Sequence, residues 1–380
     1  MRVFLIAGEP SGDRLGGQLM HWLQRIAPEV SFMGIGGPAM SAQGLQSRFA
    51  MEELSVMGIA EVLPKYRHLM RRINETADAV VSAQPDVLLT IDSPDFSLRV
   101  AKRVKARTTI RTVHYVAPTV WAWRPGRAEK MARMIDEVLC LFPFEPPYME
   151  AAGMRAHFVG HPVVTEPQAD AAQAAAFRAE MDLSENTPLV LALPGSRKGE
   201  ISRLAPIFGK SLSRISDVHP SLRVVVPTVR HTEALVRELV GSWPGEPLVL
   251  TSTAAEAKRA AFRAADVALA ASGTVSLELA AAGTPMVIAY DMNVLSRWLI
   301  GAMLKVDTVT LVNLVSETRV VPEFLGGQCD PVQIAPAVLD ALSKQTARDA
   351  QSAAMHETMK RLGQGGDPPG LRAARAVLGE

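Results

Sequence analysis

The sequence predicts an α/β protein of two parallel-sheet domains, and three observations carry that prediction. Apolar strand-like runs alternate with helical segments nearly throughout, as crossover-connected parallel strands require. At 380 residues the chain exceeds the usual size of one domain and suffices for two separate cores. Several strand-like runs also lead into glycine- or acid-bearing turns that open helices, where doubly wound sheets hold ligands.

Val3–Ala7 reads as a buried strand entering a helix through Gly8-Glu9-Pro10-Ser11-Gly12-Asp13, with Gly16-Gly17 leaving room for close packing. Asp86–Ile91, Thr109–Val116 and Glu137–Phe142 continue the first series. A second series comprises Leu189–Leu193, Leu222–Val226, Leu248–Thr251, Val267–Ala270 and Met286–Tyr290. Between Ile201 and Ile215, Leu204, Ile207, Phe208 and Leu212 recur on one helical face, and His219-Pro220 ends that helix. His-Pro, Glu-Pro and Ala-rich segments between Gly160 and Pro188 mark the change of domain. From Pro331 the chain is helical and Ala-rich, broken at Gly363–Gly370. Its Leu371, Ala374 and Leu378 stripe packs on the first domain or on another subunit. The expected divisions are 1–165, 166–345 and 346–380.

Lys and Arg number 40 against 39 Asp and Glu, so the net charge of +1 gives no case for a nucleic-acid partner. Cys140 and Cys329 form neither a disulfide framework nor a metal-ligand spacing, which fits a reduced compartment. The first apolar run ends at Ala7 without a signal-peptide core, and no uncharged stretch has membrane-spanning length. A protein neither exported by such a signal nor transmembrane is expected.

The chemistry concentrates in the turns. Glu9 and Asp13 suit hydroxyls better than phosphates, and the first loop lacks the Lys-Ser/Thr pair of a phosphate cradle; an ordinary strand-to-helix turn is the alternative. In Leu193-Pro-Gly-Ser-Arg197, the arginine fork and a helix N-terminus can meet a phosphate, against the alternative of a surface turn. Ser272, Gly273 and Thr274 can present donors to a diphosphate, with Glu278 one turn on as a ribose acceptor; helix capping is the alternative for Ser272 and Thr274. Asp92 and Asp95 follow a strand and offer a general base or a helix cap. His114, Trp121 and Trp123 can line a pocket or simply pack in the core. From Met57 to Ile73, Val62, Leu63, Tyr66, Leu69 and Met70 lie among Lys65, Arg67, Arg71 and Arg72. That mixture suits an interfacial helix or one covering a domain.

Taken together, Ala7–Gly16, Ile91–Phe96, His114–Arg124, Pro194–Arg197 and Ser272–Thr274 resemble the lipid-A-disaccharide synthase family, from the N-terminus through Val312-Asn313-Leu314. Pro10 stands where similar sequences often carry a small residue. The resemblance implies a GT-B-like fold of two Rossmann-like domains facing a cleft. It also implies a peripheral enzyme of the inner membrane of a Gram-negative bacterium, its partners an anionic membrane surface and two lipids, with a homodimer left open. The implied reaction joins UDP-2,3-diacylglucosamine to 2,3-diacylglucosamine 1-phosphate, releasing UDP; a donor site of helix N-termini and Arg197, with no Asp-x-Asp clamp, predicts that it needs no metal, and no cofactor is expected. By the same resemblance Asp95, ahead of Asp92, and Glu9 are the catalytic candidates. Ser11, Gly12, Asp13, His114 and Trp121 are placed on the acceptor side; Arg197, Ser272–Thr274, Glu278 and Asn313 on the donor side. A UDP-sugar epimerase and a non-catalytic nucleotide-sugar or lipid-binding regulator are the competing readings.

Overall fold

The computed structural model describes residues 1–54, 59–121, 126–251, 253–291 and 306–380, with backbone alone for 59–65. Trp123, Arg124 and Met57, and the side chains of Val62, Leu63 and Lys65, therefore lie outside the described residues. The chain forms two compact units, one of Met1–Thr165 with Leu362–Glu380, the other of Glu166–Arg361.

The first unit is built on six parallel strands: β1 (Arg2–Ala7), β2 (Ser31–Ile35), β3 (Val87–Ile91), β4 (Arg111–Tyr115), β5 (Glu137–Cys140) and β6 (Arg155–Phe158). Their order is β2-β1-β3-β4-β5-β6, with Val3 opposite Val87 and Ala7 opposite Ile91. All of β3 and β1 from Val3 onward are buried, which explains their continuous apolar runs: helices cover both faces of such a sheet. The strand order reverses between β1 and β3. Loops after those two strands are thus brought together at a topological switch point.

The helix Pro10–Ile26 packs Leu15, Leu19, Met20 and Leu23 inward and receives the closing helix, Pro369–Leu378, on its flank. Gly370 permits that approach, since a Cβ there would stand 2.8 Å from the Trp22 ring. Arg111 of β4 holds the far end of the closing helix by donating to the carbonyls of Ala376 and Val377, at 3.0 and 2.5 Å.

The second unit has β7 (Leu189–Leu193), β8 (Arg223–Pro227), β9 (Leu248–Leu250), β10 (Val267–Ala270), β11 (Met286–Tyr290) and β12 (Glu323–Leu325). All are parallel, in the order β12-β11-β10-β7-β8-β9. Read from β9, this is the third-second-first-fourth-fifth-sixth order of a doubly wound dinucleotide fold, with its switch point between β7 and β10. The helix Lys198–Val218 buries Ile201, Leu204, Phe208, Leu212 and Ile215 against the sheet and ends at His219.

The stretch expected to return from residue 346 onward behaves differently. The helix Gln345–Arg361 packs on the helices Leu311–Ser316 and Val275–Ala282 of the second unit. Its Gln351 Oε1 accepts the Met286 N–H, and Thr358 and Arg361 donate to the carbonyls of Val312 and Val315. Return to the first unit begins at Leu362.

Candidate active site: two pairs of strand-end loops

In the first unit the β1 loop and the β3 loop touch. Gly8 faces Ser93, with an added Cβ falling 2.7 Å from Ser93 Oγ, and Gly12 lies over Ile91, with 3.2 Å between such a Cβ and the Ile91 carbonyl. Glu9 is half-buried in extended backbone before Pro10, and Ser11 is exposed in the first turn.

Asp13 turns toward the loop after the neighbouring strand β2. Its carboxylate accepts the N–H groups of Gly37 (2.8 Å), Ala39 (2.8 Å) and Met40 (3.0 Å) at the start of the short helix Pro38–Ser41. Asp13 thus caps a neighbouring helix from outside with both oxygens, a structural role the sequence reading did not foresee.

Neither acid of the β3 loop caps the next helix, which starts at Ser93 without a side-chain cap. Asp92 and Ser93 both hold left-handed backbone, at φ +50° and +46°, and Val116 after β4 does so at +83°. Such backbone costs of order 1–3 kcal/mol per non-glycine residue, and it collects here at one sheet edge. Asp92 donates its N–H to the Tyr115 carbonyl at 3.0 Å and receives the Ser97 hydroxyl on its own carbonyl at 2.9 Å. Its carboxyl is half-buried, and burial pushes it above the ordinary carboxylate range, partly offset by the Ser93 N–H. Asp95 is exposed.

His114 is a core residue. It is buried in β4 with Nδ1 2.7 Å from Thr90 Oγ1, and burial holds its pKa down to about 4. Its enclosure and its Thr90 partner fit the core alternative. Trp121 is buried too, edge-on to Phe144, which stacks on Phe142 beside His161. Under this aromatic cluster sits Glu145, which the sequence reading missed. Its Oε2 accepts the N–H groups of Leu141 and Phe142, both at 3.0 Å. Burial raises its pKa to about 8, with those N–H groups and the nearby Trp121 indole holding it back; the indole makes no closed hydrogen bond among the described residues.

In the second unit the β7 loop ends at Arg197, whose side chain is 69 % exposed at the start of the helix Lys198–Val218. After β10, Gly273 takes φ +147° and the chain enters the helix Val275–Ala282. Among the described residues, the N–H groups of Ser272, Gly273, Thr274 and Val275 have no partner. Thr274 makes no side-chain cap, which leaves the helix N-terminus open to an anion.

Glu278, one turn on, is paired with Lys258 Nζ at 2.7 Å, a cation the sequence did not reveal as its neighbour. Asn313 departs from expectation. It is buried, its amide donates to the Val321 carbonyl at 2.9 Å and its Oδ1 accepts the Val321 N–H at 3.1 Å. This pairing clamps the loop ahead of β12, so Asn313 shapes its surroundings and has little left to offer a donor directly. Arg197 and the Ser272–Thr274 turn flank the β7/β10 switch point, while Glu278 follows on the same helix. No cluster of three or more metal-ligating side chains occurs among the described residues.

Comparison with known proteins supplies the remaining evidence. Residues 3–367 match the family model described as lipid-A-disaccharide synthetase. The lipid-A-disaccharide synthase of Ruegeria pomeroyi is 63% identical, over 100% of this chain and 95% of its own. That of Rhodospirillum centenum is 47% identical, over 99% and 94%. Among solved structures, UDP-GlcNAc 2-epimerase from Neisseria meningitidis bound to UDP-GlcNAc shares the fold with a TM-score of 0.65 at 11% identity, covering 100% of this chain and 99% of that one. With two doubly wound parallel sheets and relatives that match over nearly their whole length, the chain belongs to the lipid-A-disaccharide synthase family.

Proposed function

We propose that this chain transfers a 2,3-diacylglucosaminyl unit from its UDP donor to the 6-hydroxyl of 2,3-diacylglucosamine 1-phosphate. Inversion at the anomeric carbon gives the β-1,6 lipid A disaccharide 1-phosphate and UDP. Family membership supports the reaction class, a hexosyl transfer in lipid A biosynthesis.

One observation carries the mechanism: a half-buried carboxylate, Asp92, held in left-handed backbone at the β1/β3 switch point. A desolvated carboxylate is a stronger base than a solvated one, and Asp92 is desolvated while Asp95 is exposed. On that ground we take Asp92 as the base in place of Asp95. Asp92 takes the acceptor hydroxyl proton as that oxygen bonds to the anomeric carbon. The bond from that carbon to the diphosphate oxygen breaks on the opposite face, and its electron pair leaves with UDP. Arg197 and the free N–H groups of Ser272–Val275 stabilise the charge gathering on the diphosphate. Glu278 exchanges its Lys258 partner for the ribose hydroxyls.

Both substrates carry acyl chains, so the enzyme works at an anionic membrane surface. No helix among the described residues is long and apolar enough to cross a membrane. The exposed Tyr66, Arg67 and Arg71 on the helix Ile59–Ala83 support a peripheral contact there.

The test is acceptor-dependent UDP release. Release of UDP with formation of a disaccharide, only when diacylglucosamine 1-phosphate is added, is expected. A 2-epimerised sugar nucleotide formed without acceptor supports the epimerase reading instead, and binding without turnover the regulator.

A further inference from the structure

Glu200 joins segments that lie far apart in sequence. Its Oε2 accepts the Arg197 backbone N–H at 3.4 Å, its Oε1 lies 3.4 Å from Arg197 Nη1, and Tyr290 Oη donates to the same Oε1 at 3.3 Å. The carboxylate is largely covered while the arginine is open. Gly195, at φ +112°, makes room for it: a Cβ there would stand 2.9 Å from both Glu200 Cβ and Oε2. Arg197 follows β7, Tyr290 ends β11, and β10 lies between those strands. The Arg197–Glu200–Tyr290 chain therefore passes over the end of β10, where the Ser272–Thr274 turn begins. Arg203, on the same helix as Glu200, donates to the Asp291 carbonyl at 3.3 Å and fastens the residue after Tyr290.

We infer that Glu200, braced by Tyr290, is a positioning residue that presents Arg197 to the donor diphosphate. The inference rests on the donor-site reading above. An exposed arginine must give up rotamer freedom to grip a phosphate, and a carboxylate fixed at its base removes part of that freedom beforehand. Glu200 occupies one Nη of the fork and leaves the other edges for oxygen atoms of the ligand. Tyr290 suits the bracing role because its hydroxyl is a neutral donor: it satisfies the carboxylate without adding a cation that competes for it. Burial, together with Glu200, raises the phenol above its ordinary pKa and keeps that donor protonated.

The experiment measures donor KM, kcat and UDP affinity for Arg197→Ala, Glu200→Gln, Tyr290→Phe and Arg197→Ala/Glu200→Gln, with melting temperatures alongside. Glu200→Gln and Tyr290→Phe are expected to raise donor KM roughly 5–10-fold at near-parent melting temperature, and Glu200→Gln to add nothing in the Arg197→Ala background. Parent-like KM and UDP affinity in both folded single variants, with Arg197→Ala weakened, overturn the positioning role. So do losses that add in the double variant. Should Arg197→Ala itself bind UDP like the parent, the donor-site reading fails, and the positioning role with it.

Discussion

Gly8 and Ser93 meet across the β1/β3 switch point, so closely that one methyl group on Gly8 would lie 2.7 Å from Ser93 Oγ. That hydroxyl is buried without a hydrogen-bond partner among the described residues, and Ser93 itself sits at φ +46°. The spacing of the two loops is thus set by what Gly8 lacks.

Gly8→Ala should accordingly destabilise by about 1–3 kcal/mol through overpacking and displace Asp92, lowering turnover. Adding Ser93→Gly removes the obstructing side chain and suits the left-handed backbone, so the double variant should recover most of the melting temperature. Calorimetry on the two variants checks this, and a double variant no more stable than Gly8→Ala refutes it.

Asp92→Asn should cut kcat by about 10²–10⁴-fold, the usual contribution of a general base, while Asp95→Asn stays within about tenfold of the parent. Because burial raises the Asp92 pKa, the acid limb of kcat/KM should lie above the ordinary aspartate value of 3.8. The same burial penalises the charged form, so stability falls as pH rises past 3.8, and Asp92→Asn should be at least as stable as the parent at neutral pH. Comparable losses in both variants would falsify the assignment.

Glu145 and two histidines bend the stability profile in opposite directions. The unfolded chain releases the Glu145 proton near 4.5 and the folded chain keeps it to about 8, so stability declines across that window and the loss is complete above it. His114 and His161 are held down to about 4 from 6.5, so their contribution is present above 6.5 and disappears as pH falls toward 4. Glu145→Gln should flatten the decline between pH 4.5 and about 8 and gain on the order of 1–3 kcal/mol at pH 8. Denaturant melts at four pH values would decide; curves parallel to the parent's count against the buried acid.

On the helix Ile59–Ala83, exposed and core-facing residues separate. Ile73 is buried, Leu69 and Met70 pack partly against the core, and Arg72 is committed to Glu53, Glu75 and the Phe49 ring. Leu69→Ser/Met70→Ser should therefore lower the melting temperature. Arg67→Ser/Arg71→Ser should weaken binding to anionic vesicles by roughly 10–30-fold at unchanged stability, at about 1 kcal/mol per basic residue near the surface. Undiminished sedimentation of the folded arginine variant moves the membrane face elsewhere.

The strands that line the sites were legible because both faces of a parallel sheet are covered, leaving runs such as Leu189–Leu193 apolar without alternation. β2, β6 and β12 were missed: each is short, half-buried and at or near a sheet edge, and β6 carries Arg155 and His157. The turns were legible as well, since glycines and acids at strand ends mark positions where backbone or ligand comes close. What those side chains touch was another matter. Asp13 meets Gly37–Met40, Glu278 meets Lys258 and Glu200 meets Tyr290, and each of these pairings exists only once crossovers have stacked separate segments, while Asn313 meets Val321 through the folding of a single loop. Glu145 gave no signal at all, because a glutamate in Phe-Pro-Phe-Glu-Pro-Pro reads as a solvated turn until aromatic rings close over it.

The closing helix Pro369–Leu378 completes a unit that most of the chain has already left. During synthesis, the first helix waits with its flank bare while the whole of the second unit emerges, because Leu371, Ala374 and Val377 follow that unit in the sequence. The second unit is one unbroken run of chain, Glu166–Arg361, so it can close upon itself sooner. The unit that comes first in the sequence is thus completed only after the second unit has been made, when the closing helix reaches the flank of the first helix.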